Sequence, residues 1–251
     1  MKSVLALRLA GPLQSWGASA RFARRTTESA PTKSGVIGLL AAALGRDRTA
    51  DLTDLAALRF AVRIDQPGTR LRDFQTAHHA DTEKAMPVSE RFYLADAVFV
   101  AAIAGHDAMI RALHAAVQTP VYLPYLGRRS CPPQGPLDLG LRNIDDPVEA
   151  LKAEEWQASD WYREQRRHDR TITLTILGEG TADSRLGDTL KDQPISFDPR
   201  HRRYALRSVI STSIEVHNPR FSPSSAGRKR RAPVPVPRHE PEALLSPMDG
   251  P

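Results

Sequence analysis

The 251-residue chain contains a single cysteine, Cys131. That excludes an intramolecular disulfide framework and a multi-cysteine zinc site, and it fits a reducing compartment. Long apolar runs are also missing. The opening MKSVLALRLAGPLQSWG is interrupted by Arg8 and is too short and broken for a secretory signal, and no stretch approaches the length of a membrane span. A soluble, cytoplasmic protein is expected. Neither a GxxxxGK[ST] loop nor a GxGxxG following a strand occurs, which disfavours nucleotide hydrolysis and dinucleotide chemistry. No internal repeat is visible. Acidic residues are absent between Asn218 and His239, where six Lys or Arg residues lie.

A hydrophobic content of 41% with 25% charge describes an ordinary folded chain, long enough for a substantial core. The net charge of +6 and pI near 9.8 favour an acidic partner, with nucleic acid first. The basic stretch near the C-terminus equals that whole excess, so a basic groove has to be argued from local clusters.

Residues 3–10 read as a buried strand ended by Gly11-Pro12, and SGVIGLLAAALG as a helix. Thr32 or Ser34 can cap that helix, Val36, Ile37, Leu40 and Leu44 share one face, and Gly45 stops it. LRFAVRID alternates as a half-buried strand. Residues 66–91 are polar and too long for a simple connection. FYLADAVFVAAIAG returns to strand character, and HDAMIRALHAAV predicts a helix with Ala108, Ile110, Leu113 and Val117 inward. This order gives the first five elements of an α+β, ferredoxin-like (RRM-like, βαββαβ) unit over residues 1–120, its closing strand unplaced. Beyond Pro120 a smaller β-rich subdomain is expected over 121–220, with a helical DPVEALKAEEWQASDWY and strands RTITLTILGE and YALRSVISTSIEVHNP. Residues 221–251 form a basic, Pro-rich tail expected to be disordered.

Three clusters carry possible chemistry. The loop from Gln14 to Lys33 mixes Trp16 and Phe22 with Arg21, Arg24, Arg25 and Lys33, a composition suited to single-stranded RNA. The helix start at Ser34-Gly35 would offer backbone N–H groups to a phosphate. Alternatively Trp16 plugs the core and the arginines are merely solvated. His78 and His79, with Asp73, Asp81 and Glu83, could suggest a metal cluster, but adjacent histidines on an extended segment point to opposite sides. Cys131 follows two arginines that could lower its pKa, yet it lacks an evident His partner. No metal or cofactor is expected. A metal-independent ribonuclease would need only groups such as His78, His79 or Tyr125 for acid–base work, and spacing does not discard it.

LRLAGPLQSWG (7–17), APTKSGVIGLL (30–40), YLGRRSCPPQGPL (125–137) and, more loosely, LRDFQTAHH (71–79) together resemble the CasD subunit family of the type I-E CRISPR Cascade complex. The resemblance spans most of the first 140 residues. It implies a non-catalytic subunit whose ferredoxin-like domain clasps the 5′ handle of the CRISPR RNA. Residues 66–91 would form a projecting β-hairpin thumb that meets the backbone (CasC-type) subunit. Another surface would meet the large (CasA-type) subunit, with target DNA an indirect partner. Carried onto this chain, the RNA-facing set is Gln14, Trp16, Gly17, Arg21, Arg24 and Arg25 in the first loop, Lys33, Ser34 and Gly35 at the helix start, Arg72 and His78 on the excursion, and Tyr125, Gly127, Arg128 and Arg129. In the last loop, arginine forks would meet phosphates or guanine edges, Tyr125 would pack beneath a base, and Cys131 would anchor the chain. The competing enzyme is an endoribonuclease that processes CRISPR repeat RNA, as related subunits of another subtype do. A blander alternative is a general RNA-binding module dominated by the RKRR run of the tail.

Overall fold

The computed structural model describes residues 2–17, 24–180 and 187–223. Its centre is β1 (Lys2–Ala10), buried along nearly its whole length because both faces of the sheet are covered. Antiparallel to β1 on one side runs β7 (Val98–His106), and on the other β8 (Asp138–Arg142). The sheet continues from β7 through β4 (Arg59–Gln66), β9 (Thr171–Glu179) and β11 (Arg203–His217) to β10 (Asp188–Ser196). Every pairing in this seven-stranded sheet is antiparallel, and the sheet carries strands from both halves of the chain.

Helix α1 (Lys33–Ala43) links β1 to β4, and α3 (Asp107–Gln118) links β7 to β8. Thr32 caps α1 by accepting the Gly35 N–H at 3.3 Å, and Gly45 closes it at φ +75°, a left-handed position that glycine takes without steric cost. Both helices lie on one face. Val36, Ile37 and Leu40 of α1 and Ile110 and Leu113 of α3 pack with Leu5, Leu7, Leu9, Phe99 and Ile103. On the other face, Ala150 and Leu151 of α4 (Pro147–Ala153) cover Val4, Val100 and Ala102. The short helices α2 (Thr53–Ala56) and α5 (Asp160–Gln165) complete the helical elements among the described residues.

A second sheet is built round β6 (Ser89–Ala95). It pairs along its length with β5 (Thr69–Gln75), and at its ends with the two-residue strands β2 (Leu13–Gln14) and β3 (Arg24–Arg25). Residues 76–88 join β5 to β6 and are exposed.

Four sequence expectations change. The strand over 92–105 is two strands in different sheets, broken at Asp96, whose φ of +56° turns the chain. The helix expected from Asp146 begins there, with the Asp146 carboxylate accepting the Val148 N–H at 2.7 Å, but residues 154–159 interrupt it. That interruption is held by the wholly buried Arg63. Its guanidinium bonds the carbonyls of Leu151, Glu154 and Glu155 and pairs with buried Asp65 at 2.7 Å. Those bonds remove the carbonyls from a continuing helix. On α3, Ala108 is exposed and Met109 packs against the core instead. Strand β10 is unexpected because DTLKDQPIS lacks β-branched alternation and contains Pro194, a residue tolerated on an edge strand.

Candidate nucleic-acid interface

The loop 125–131 closes on itself and on the first loop of the chain. Leu126 N–H donates to the Cys131 carbonyl at 2.7 Å, and the Leu126 carbonyl accepts the Ser15 N–H at 3.1 Å. Leu126 and Cys131 are fully buried and anchor the loop. Gly127 has φ +85°, and a Cβ there would overlap the Ser15 carbonyl oxygen, so only glycine allows the two loops to meet. Burial pushes the Cys131 thiol up, against smaller opposing pulls from Ser130 and Arg128. It is a packing group rather than a poised thiolate.

Arg128 joins this loop to the second sheet. Its guanidinium lies 4.6 Å from the centre of the Tyr93 ring, and Nη2 donates to the Arg25 carbonyl at 2.8 Å. Nη1 has no hydrogen-bond partner among the described residues. Cross-strand partners share a face and neighbours along a strand alternate, so Arg25, Arg91 and Tyr93 fall on one face of β6. The other face carries Arg24, Arg72, Phe74 and Phe92. There Arg24 sits 5.5 Å over Phe92, Arg72 sits 4.5 Å over Phe74, and both arginines reach Glu90. Asp73 and Glu90 are the only acids on β3, β5, β6 and the loop 125–131. The second sheet and the loop therefore form a positive strip with arginines on both faces, Phe74 and Phe92 lying among those of one face.

The structure brings together part of the expected set. Arg24, Arg25, Arg72, Gly127 and Arg129 are exposed, and Tyr125 and Arg128 are partly buried. Gly17 is exposed at the end of the described first loop; Arg21 and Phe22 lie outside the described residues. His78 is exposed on the β5–β6 connection, where it bridges Ala85.

Gln14 and Trp16, by contrast, belong to the interior. Trp16 is fully buried, its ring pressed against Gly35, and its Nε1 donates to Gln14 at 3.0 Å. The Gln14 amide donates to the carbonyls of Leu9 and Ala97. Trp16 thus plugs the core, and Gly35 is the small residue that admits it. The start of α1 is likewise filled from within the chain. The carboxylate of Asp192 accepts the Lys33 N–H at 2.7 Å and a fork from Arg207, while the buried Lys33 ammonium pairs with Glu179 at 2.8 Å. Ser34 is buried beside them. This helix end already has its anion, Asp192, where a phosphate was expected.

Tyr93 lies within the apolar run 92–105 and is itself buried among core residues beneath Arg128, while Arg91 precedes the run. Only the break at Asp96 reveals that this run serves two sheets. Among the described residues no group of His, Cys, Asp and Glu is arranged to hold a metal ion, and no hydrogen bond links His78 to Tyr125. No described helix is long and apolar enough to cross a membrane.

Similarity to known proteins agrees with this architecture. A family described as CRISPR-associated protein (Cas_Cas5) matches residues 4–210. The curated CRISPR system Cascade subunit CasD of Escherichia coli (strain K12) is 40% identical over 199 residues, covering 71% of this chain and 89% of that protein. A solved structure described as a crystal structure of Cas protein shares 37% identity, covers 87% of this chain and 97% of its own, and superposes with a TM-score of 0.66. A chain of a CRISPR RNA-guided surveillance complex shares 34% identity over 88% of this chain and 95% of its own, with a TM-score of 0.71.

Proposed function

Since this chain belongs to the Cas5 family of CRISPR-associated proteins, we propose that it is a non-catalytic subunit of a Cascade-type surveillance complex that grips the 5′ handle of the guide RNA. The observation that carries this reading is the position of Arg128. It ties the loop 125–131 to β3 and β6, residues far apart in sequence, and stacks on the buried Tyr93, with one guanidinium nitrogen buried and without a hydrogen-bond partner among the described residues. A single-stranded, splayed RNA end is the ligand such a surface suits. Arginine forks match phosphate oxygens and base edges, and aromatic faces accept unstacked bases.

In this reading Arg24, Arg25, Arg72, Arg128 and Arg129 contact RNA. Gln14, Trp16, Lys33 and Gly35 act one step behind, holding the strand ends and α1 on which those arginines depend. The order β4-β7-β1-β8 with two helices on one face supports reading this part as a ferredoxin-like unit in which β8 serves as the closing strand. The β5–β6 hairpin serves as the thumb toward a backbone subunit, its exposed Leu71, Phe74, Met86 and Val88 supplying the apolar contact. A further surface meets the large subunit.

Replacing Arg128 and Arg129 together with Ala should reduce the RNA retained by the purified complex. It should also lower the salt dependence of binding by about 0.7 in log–log slope for each phosphate that is no longer neutralised. Unchanged RNA content would count against the clamp. Incubation of the chain with repeat RNA in EDTA tests the absence of catalysis: site-specific cleavage abolished by His78→Ala or Tyr125→Ala would establish the enzyme instead.

A further inference from the structure

The three tryptophans occupy different settings. Trp16 and Trp156 are buried, whereas Trp161, at the start of α5, is 56% exposed. Its ring meets Tyr162 at 5.6 Å and 89°, and Tyr162 meets Trp156 at 6.1 Å, so perpendicular contacts brace the exposed indole from below. Beside Trp161 lies a cleft of about 260 Å³ whose walls include Pro12, Gln66, Asp96, Gln134 and Ser159.

The floor of this cleft is satisfied. Gln66 donates to the Asp96 carbonyl and accepts from Ser159 N–H at 3.1 Å and Oγ at 2.7 Å. The rim differs, because the Asp96 carboxylate and the Gln134 amide make no side-chain hydrogen bond among the described residues. Asp96 is also the residue that the turn between β6 and β7 holds at positive φ.

We propose that this cleft is a slot for one unpaired nucleobase bearing an exocyclic amine, stacked on Trp161 and hydrogen-bonded by Asp96 and Gln134. An ionised carboxylate only accepts, so an exocyclic amine suits it better than the single imide N–H of uracil, whose two flanking carbonyl oxygens repel it, while an amide supplies both a donor and an acceptor, as a base edge requires. The volume lies below the 300–1,000 Å³ of drug-sized sites and suits a single planar ring system. An apolar side chain from a protein partner would instead desolvate Asp96 and Gln134 without bonding them, at a cost for each.

The slot rests on the RNA-binding reading and extends it. Gln134 lies on the same segment as Arg129, its N–H bound to the Ala10 carbonyl at 2.9 Å, with at most ~18 Å of extended chain between the two residues. A strand gripped by the arginine loop can therefore place one base against Trp161.

Trp161 is the one exposed tryptophan, so its emission reports occupancy directly. Titration of the full chain with adenosine and cytidine monophosphates should quench that emission more strongly than uridine monophosphate, which lacks the amine. Asp96→Asn should erase the preference, and Trp161→Phe should remove the quenching. Trp161→Ala should weaken binding of single-stranded leader RNA on the order of tenfold without preventing it. If leader RNA binds equally well to Trp161→Ala and the wild-type emission is unmoved, the slot is refuted while the arginine clamp stands. If the chain binds no RNA at all, the proposed function fails, and the mononucleotide titration alone decides the slot. Emission that shifts only on addition of a protein subunit would make the cleft a protein contact and overturn the proposal.

Discussion

At the scale of single residues, the candidate site depends on small side chains as much as on charged ones. Gly127 is the clearest case, because its positive φ and its approach to the Ser15 carbonyl leave no room for a Cβ. Gly127→Ala should therefore destabilise the chain by more than the ~1–3 kcal/mol of a strained backbone alone. Urea unfolding measures this, and a destabilisation below about 1 kcal/mol would show that the loop relaxes without strain. Residue types are legible in the sequence here, but side-chain direction is not. Arg128, Arg129 and Gly127 stand out by composition and resemblance. Trp16 and Lys33 look equally suitable, yet they face inward, because partners distant in sequence capture them: Gly35 faces the Trp16 ring, and Glu179 pairs with the Lys33 ammonium. No local pattern announces such partners.

At the scale of elements, two polar joints hold pieces of chain that hydrophobic periodicity would arrange differently. The Arg63–Asp65 pair, fully buried, ends α4 and seats residues 154–157 on β4. Arg63→Met should cost about 3–5 kcal/mol by stranding Asp65 and three carbonyls, and adding Asp65→Leu should recover only the part due to the unpaired carboxylate, as measured by equilibrium unfolding. Equal destabilisation in the single and double variants would contradict this account. The second joint is Asp138 of β8. Burial alone would raise its pKa, but the Gln118 amide, the Gly140 N–H and His114 together hold the carboxylate below its usual range. A carboxylate depressed in the fold contributes stability above its unfolded pKa and loses it as pH falls through the folded value. The urea midpoint should therefore fall on acidification below about pH 4, and less so in Asp138→Asn. Strands rich in β-branched residues, such as β9 and β11, are readable from sequence. The closing strand β8 is not, because DLGLR is short and is defined by its pairing with β1 rather than by its own pattern.

At the scale of the whole molecule, the chain is a mixed α/β protein dominated by antiparallel sheets, and the two sheets divide the work. The seven-stranded sheet carries the core. The smaller sheet, with the loop 125–131 folded against it, presents arginines and the Phe74 ring to the outside and keeps Tyr93 buried beneath Arg128. This arrangement exposes the positive strip while keeping its supports dry, as a surface that holds an RNA end in place requires. The most direct test is hydroxyl-radical footprinting of the guide RNA in the assembled complex, with this subunit either wild type or Arg128→Ala/Arg129→Ala. The account predicts an intact 5′ leader shielded by the wild-type subunit and uncovered by the variant. A leader equally open in both would contradict it.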